Sequence, residues 1–260
     1  MDMQLKGRRV LITGASQGIG AGLAESFARE GCHLALVARS GDKLQALAAS
    51  LRAAHNVQVD VLALDMTQPG AIEQVVGFAG DIDVLVNNAG AIPGGNLWDV
   101  DAQAWRKGWE LKVFGYIDLT RAMYLRMKQR GHGVILNNIG NGGQNPDFNY
   151  IAGSTGNAAL MAFTCALGGR SLEDGIRVVG VNPGPVDTER IAKVMRNHAA
   201  RLLGDESRAG ELLAAYPLGR SATVAEVADL FVYLASTRSS YTSGTIITVD
   251  GGISSKRSVS

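Results

Sequence analysis

Cysteine is scarce in this chain of 260 residues. Cys32 and Cys165 are too few and too isolated for a disulfide framework. Each stands among apolar and small residues, where a free thiol is expected to pack as a small hydrophobe. Histidine is scarce as well, and His33, His55, His132 and His198 show no metal-ligand spacing, so no metal is expected. A basic excess is missing: 25 Lys and Arg against 24 Asp and Glu give a formal charge of +1. That leaves nothing to neutralise a phosphate backbone and excludes nucleic acid as a partner. No apolar run approaches the roughly 20 residues that span a bilayer, so no membrane association is expected. Residues 1–10 are polar and basic, without the apolar centre of a signal segment. These absences point to a cytoplasmic, reducing setting.

What is present is hydrophobic content typical of a globular chain, 46% against 19% charged residues, in an alternation of two segment types. Short, continuous apolar runs at 9–15, 33–39, 59–65, 83–89, 133–139, 176–182 and 245–249 read as strands. Helical patterns lie between them at 18–30, 42–55, 68–79, 101–130, 149–173, 188–215 and 224–236. Apolar strands separated by helices predict a Rossmann-type α/β fold. It is a doubly wound parallel sheet of about seven strands with helices on both faces, three layers in all. No repeat, linker or low-complexity stretch divides the chain, so residues 1–260 are expected to form one domain.

The first strand runs into Thr13-Gly14-Ala15-Ser16-Gln17-Gly18-Ile19-Gly20, and a helix follows at once. Glycines there permit a tight turn and let backbone N–H groups approach a pyrophosphate, and the helix N-terminus favours the anion.

Three further segments accompany that turn: Asn87-Asn88-Ala89-Gly90 after the fourth strand, Pro183-Gly184 followed by Val186 and Thr188, and Val249-Asp250-Gly251-Gly252 near the end. Together they resemble the short-chain dehydrogenase/reductase family in its classical form, over nearly the whole chain. The resemblance implies that Gly14, Ser16, Gln17, Gly18, Ile19 and Gly20 cradle a nicotinamide dinucleotide. It implies that Asp65, with Met66 beside it, lies at the adenine, that Asn88, Ala89 and Gly90 flank the cofactor, and that Pro183, Gly184, Val186 and Thr188 hold the carboxamide end.

The end of the second strand chooses between the two dinucleotides. A carboxylate there would bind the ribose 2′-OH of NAD. This chain has Val37-Ala38-Arg39-Ser40, and Arg39 can pair with a 2′-phosphate, so NADP(H) is preferred and NAD(H) remains possible. The competing account of Arg39 is a solvated surface arginine. Gln17 weighs slightly against NADP, because NADP-preferring relatives often carry a basic residue at that place.

The resemblance also implies a catalytic set: a Tyr-x-x-x-Lys pair on a helix, a serine at the preceding strand end and an asparagine on the long helix before it. A free tyrosine near pKa 10 is a poor base, and a nearby cation corrects that. Here the tyrosine is Tyr150, and four residues on stands Ser154, uncharged and too short for a lysine's work. The serine falls on Gly140, leaving Asn137, Asn138 and Asn141 as polar candidates for an oxygen contact or, alternatively, as turn residues that satisfy backbone groups. Asn157 is read as a helix-packing residue.

The asparagine position carries Lys112. It shares a helical stripe with Trp105, Trp109, Tyr116, Met123 and Met127, which are otherwise apolar or aromatic. A lysine on a core-facing stripe demands a partner. One reading is that the ammonium has moved between helices, lost at Ser154 and gained at Lys112, where it would polarise Tyr150 and contact the ribose. The other is that Lys112 snorkels along Trp109, or pairs with Glu110 or Asp118. Tyr150, Lys112, Asn138 and Ser154 are therefore the candidate catalytic residues, with Tyr150 and Lys112 also placed at the cofactor.

Substrate contacts are expected from loops 91–97 and 141–148 and from a lid at roughly 188–216, whose mixed composition predicts an apolar pocket with polar edges. The partner is then a small carbonyl or alcohol. The resemblance also implies a homo-oligomer, a dimer or tetramer. Three functions fit these residues: an NADP-dependent oxidoreductase, a catalytically silent nucleotide-binding homologue acting as sensor or structural protein, and a non-redox lyase or isomerase on a retained fold.

Overall fold

The apolar runs pair as seven strands in the computed structural model, which describes residues 2–256. They are β1 (Arg9–Thr13), β2 (His33–Ala38), β3 (Val59–Ala63), β4 (Val84–Asn87), β5 (Gly133–Asn138), β6 (Ile176–Pro183) and β7 (Thr245–Val249). The spatial order is β3-β2-β1-β4-β5-β6-β7, with parallel pairing throughout.

The two faces follow from the two-residue period of a strand. In β1, Val10 and Ile12 enter one core while Leu11 enters the other; in β2, Leu34 and Leu36 divide from Ala35 and Val37 in the same way. On the first face lie α1 (Gly18–Arg29), α2 (Gly41–His55) and α9 (Val224–Ala235), supplying Leu23, Phe27, Leu44, Leu51 and Phe231. On the second lie α3 (Ala71–Ala79) and α5 (Gly115–Arg130), supplying Val75, Leu119, Met123 and Met127. Burying each such side chain contributes about 1.5–3 kcal/mol, so a sheet apolar on both sides is stable only in three layers. No helix among the described residues is long and apolar enough to cross a membrane.

Three helical segments differ from their sequence expectation. The predicted helix 101–130 is interrupted: α4 (Ala102–Trp109) gives way to a π-helical turn at Glu110–Phe114 before α5 begins. Lys112 lies in the middle of that turn, and its side chain and that of Tyr116 both reach the end of β5. The predicted helix 149–173 is α6 (Ile151–Gly168), ended where Gly168 packs on Gly244, too tightly for any Cβ. The predicted stretch 188–215 is α7 (Glu189–Leu203), closed by Gly204 in the left-handed region, and the short α8 (Ala209–Leu213). The cysteines also part company. Cys32 is buried, and its burial pushes the thiol up to about 12, whereas Cys165 on α6 is exposed and is not the packed hydrophobe its apolar neighbours predicted.

Candidate active site

The strand order reverses between β1 and β4, and a cleft of about 1050 Å³ opens there, at the carboxyl ends of the strands. Gly14, Ser16, Gln17, Gly18, Ile19, Gly20, Arg39, Asp65, Met66, Asn88, Ala89, Gly90, Lys112, Asn138, Tyr150, Pro183, Gly184, Val186 and Thr188 all line it. Of the residues singled out from the sequence for cofactor or catalysis, Ser154 and Asn137 are not brought to it.

The glycine turn is locked by its neighbours. Gly14 has φ +67, and a Cβ on it would lie 2.8 Å from the Ala89 Cα; one on Gly20 would lie 2.2 Å from the Gly14 carbonyl oxygen. Asn88 pins the turn to β4: its amide donates to the Thr13 and Gly14 carbonyls at 2.9 and 3.2 Å, while the Asn88 and Ala89 N–H groups donate to the Thr13 hydroxyl. Asn138, at the end of β5, donates to the Asn88 side-chain oxygen at 2.7 Å. Asn138 therefore braces three strand ends, a use of its amide the sequence did not disclose. Asn137 lies beneath the cleft, bonded to Asn87 and Thr164, and Asn141 donates to Asp250 at 3.2 Å.

At one end of the cleft Arg39 is exposed, and Lys43 on α2 reaches over to the Gln17 side-chain oxygen at 2.9 Å. Lys43 escaped the sequence reading because a lysine in a helix's first turn looks like an ordinary surface charge. It places a second cation beside Gln17. Asp65 is held below the ordinary carboxylate range, first by the Thr67 N–H at 3.0 Å and further by the Thr67 hydroxyl and Arg39.

At the other end Lys112 lies across Gly90, and its ammonium donates to the Ile139 carbonyl. It neither snorkels to solvent nor pairs with Glu110 or Asp118; no ion pair to it occurs among the described residues. Burial, with the positive charge of Arg190 adding to it, pulls the ammonium down to about 7. Arg190, on α7, donates to the Ile92 carbonyl at 3.2 Å and so ties the segment after β6 to the loop after β4. Tyr116 donates to the Asn138 carbonyl at 3.0 Å, and burial raises its pKa.

Tyr150 stands outside the helix. It is the N-cap of α6, with φ −138° and ψ 38°. A parallel bridge to Gly95 holds its backbone, with Gly95 donating to the Asn149 carbonyl at 2.7 Å. Its ring lies over Gly153, and no hydrogen bond to its hydroxyl occurs among the described residues. Ser154 faces the other way: its hydroxyl accepts the Asp147 N–H at 3.1 Å and fastens the preceding loop. The i, i+4 expectation assumed that Tyr150 was helical. Instead Asn157, read from sequence as a packing residue, lines the cleft one turn beyond Gly153. Its amide donates to the Gly140 carbonyl at 3.3 Å, while its side-chain oxygen is buried with no partner among the described residues.

These features fit a bound dinucleotide. Gly14 and Gly20 bring the backbone where a Cβ would intrude, the N-terminus of α1 has no side-chain cap and no acid in its first turn, and the unpartnered Asn157 oxygen is an acceptor for a hydroxyl. The far wall, formed by Ile191, Val194, Met195, His198 and Tyr216, is apolar with polar edges.

Comparison with known proteins agrees with this geometry. A family model described as Enoyl-(Acyl carrier protein) reductase matches residues 14–254. The chain is 32% identical to 2-keto-3-deoxy-L-fuconate dehydrogenase of Xanthomonas campestris, over 96% of this chain and 81% of that one. It is also 32% identical to 3-oxoacyl-(acyl-carrier-protein) reductase FabG of Escherichia coli, over 96% and 99%. Among solved structures, L-sorbose reductase from Gluconobacter frateurii, complexed with NADPH and L-sorbose, superposes with a TM-score of 0.91 at 34% identity, covering 99% of this chain and all of that one.

Proposed function

Because the chain belongs to the short-chain dehydrogenase/reductase family, we propose that it is an NADP-dependent oxidoreductase with an altered acid–base set, acting on a small ketone or secondary alcohol. The observation that carries this reading is the convergence of the glycine turn, Tyr150 and Lys112 on one cleft. Bound there, the dinucleotide supplies the hydride. Gly14 to Gly20 and the uncapped end of α1 would hold its pyrophosphate, Asn88 to Gly90 and Pro183 to Thr188 its nicotinamide side, and the Asn157 oxygen a ribose or substrate hydroxyl.

Counted from Tyr150, the family's lysine position is Ser154; counted along the cleft-facing side of α6, it is Asn157. Neither is a lysine. Lys112 is the ammonium that this chain brings to that end of the cleft, and Tyr150 is the phenol. In the reducing direction Tyr150 would give its proton to the carbonyl oxygen, and the Lys112 ammonium would stabilise the phenolate left behind. Residues 188–216 would close over the substrate, with Arg190 as the tie to Ile92.

The test is to titrate NADPH and NADH by nicotinamide fluorescence, then challenge the tighter complex with a panel of ketones, diketones and keto sugars. Oxidation of bound NADPH by any of them supports the reading. Tight binding without turnover across the panel moves the chain to the silent homologue, a reading that the uncharged Asn157 facing the cleft on α6 would then explain.

The choice of dinucleotide has its own expected result. Arg39→Ala and Lys43→Ala should each weaken NADPH binding about 10–100-fold, the worth of one charge-assisted hydrogen bond of roughly 1.5–3 kcal/mol, and leave NADH within about threefold. Equal losses for both dinucleotides would assign these cations to something other than a 2′-phosphate.

A further inference from the structure

Helix α6 carries a glycine one turn before the cleft-lining Asn157, and the ring of Tyr150 lies in the space a side chain would take. A Cβ on Gly153 would sit 1.9 Å from the Tyr150 Cζ and 2.1 and 2.4 Å from its two Cε atoms. Carbon atoms in contact need about 3.5–4 Å, so ring and side chain cannot coexist. The overlap falls on the hydroxyl end of the ring, because Cζ bears the hydroxyl. On another side, a Cβ on Gly142 would meet the ring at 3.5 and 3.6 Å, an ordinary contact. The ring is thus seated on Gly153, beside Gly142, while its backbone is held at the N-cap by the bridge to Gly95.

We propose that Gly153 is the positioning residue that admits the phenol: Tyr150 enters the cleft from outside α6 and presents its hydroxyl as though it grew from the helix at residue 153. The consequence is a functional pair made from two different parts of the chain. The phenol stands one helical turn from Asn157, whose side-chain oxygen is buried and unpartnered among the described residues, although Tyr150 itself is seven positions earlier. The seat has no slack. A methyl at 153 collides with the end of a side chain that can rotate, so the clash is relieved by swinging the ring out and leaves the helix in place. Gly153 has ordinary helical backbone, outside the positive-φ positions, so alanine is compatible with its conformation.

This inference rests on Tyr150 being the acid–base group, and its test separates the two. Gly153→Ala is expected to lower turnover at least 100-fold while NADPH affinity stays within about threefold, close to the effect of removing the hydroxyl itself. The double variant Tyr150→Ala with Gly153→Tyr, which grows the phenol from the helix, should recover turnover at least tenfold over Tyr150→Ala alone. A structural role for Gly153 would not yield that rescue. In parallel, 3-fluorotyrosine placed at position 150 reports the ring directly: its fluorine resonance should move on addition of NADPH in the parent chain and stay put in Gly153→Ala. If the parent turns over no carbonyl, the acid–base reading fails, and the fluorine response still decides whether Gly153 seats the ring. Turnover equal to the parent's, or a fluorine resonance that moves with NADPH in Gly153→Ala as it does in the parent, overturns the proposal. So does a double variant that folds, binds NADPH and is no faster than Tyr150→Ala.

Discussion

Replacing Tyr150 by phenylalanine should cost about 10²–10⁴-fold in turnover, the usual worth of a placed proton donor, and leave NADPH affinity nearly unchanged. The ring would keep its seat on Gly153 and its contact with Gly142, because neither involves the hydroxyl oxygen. Only the proton would be lost. No chain group holds that hydroxyl among the described residues, so nothing inside the protein is left unpaired by the change and the fold should keep its stability. Single-turnover oxidation of bound NADPH, measured beside the fluorescence titration, separates chemistry from binding. Turnover equal to the parent's would remove Tyr150 from the chemistry and leave Lys112 as the remaining candidate donor.

Lys112→Met should have the second large effect, and its pH dependence is the sharper half. Burial, reinforced by Arg190, holds the ammonium at about 7 against 10.5 for a free lysine. Below pH 7 the group is charged in both folded and unfolded chains, so the cost of burying it is fully present. Between pH 7 and about 10 the unfolded chain keeps a proton that the folded chain has released, and stability rises with pH. The parent should therefore gain stability on the order of 4 kcal/mol across that window, and Lys112→Met should gain none from this source. At pH 6 the methionine variant should be the more stable of the two. Activity should run the other way. If the charged ammonium stabilises the phenolate of Tyr150, turnover falls as pH rises through about 7 in the parent, and is low and flat there in Lys112→Met. Denaturant melts and pH–rate profiles of both proteins read the two effects. Parallel stability curves would mean that the ammonium titrates as an ordinary exposed lysine.

Much of the fold was legible because its signals are local. The continuous apolar runs that became β1, β2 and β6 can be buried only in a covered parallel sheet, and Gly14 and Gly20 mark a turn that only glycine can make against Ala89 and the Gly14 carbonyl. The positions of Arg39, Asp65, Asn88 and Thr188 around the cleft follow from where strands end, which the hydrophobic pattern also marks. The π turn at Glu110–Phe114 was not legible, because a single inserted residue leaves the helical pattern on either side intact. Lys112 lies within that turn, with its ammonium against the Ile139 carbonyl.

The sequence by itself determined the three-layer α/β architecture, the dinucleotide-type turn, and the coincidence of a tyrosine and a lysine near one strand end. It did so because strand period, glycine conformation and helix pattern act over a few neighbouring residues. Tertiary structure alone decided what those side chains meet. Ser154 turned out to serve the Asp147 loop, Asn138 to brace Asn88, Lys43 to approach Gln17, and the Tyr150 ring to lie on Gly153. Each of those outcomes is set by where a side chain points from a helix end, a strand end or a loop. That direction comes from packing against segments distant in the chain, such as the bridge from Tyr150 to Gly95, and no local pattern encodes it.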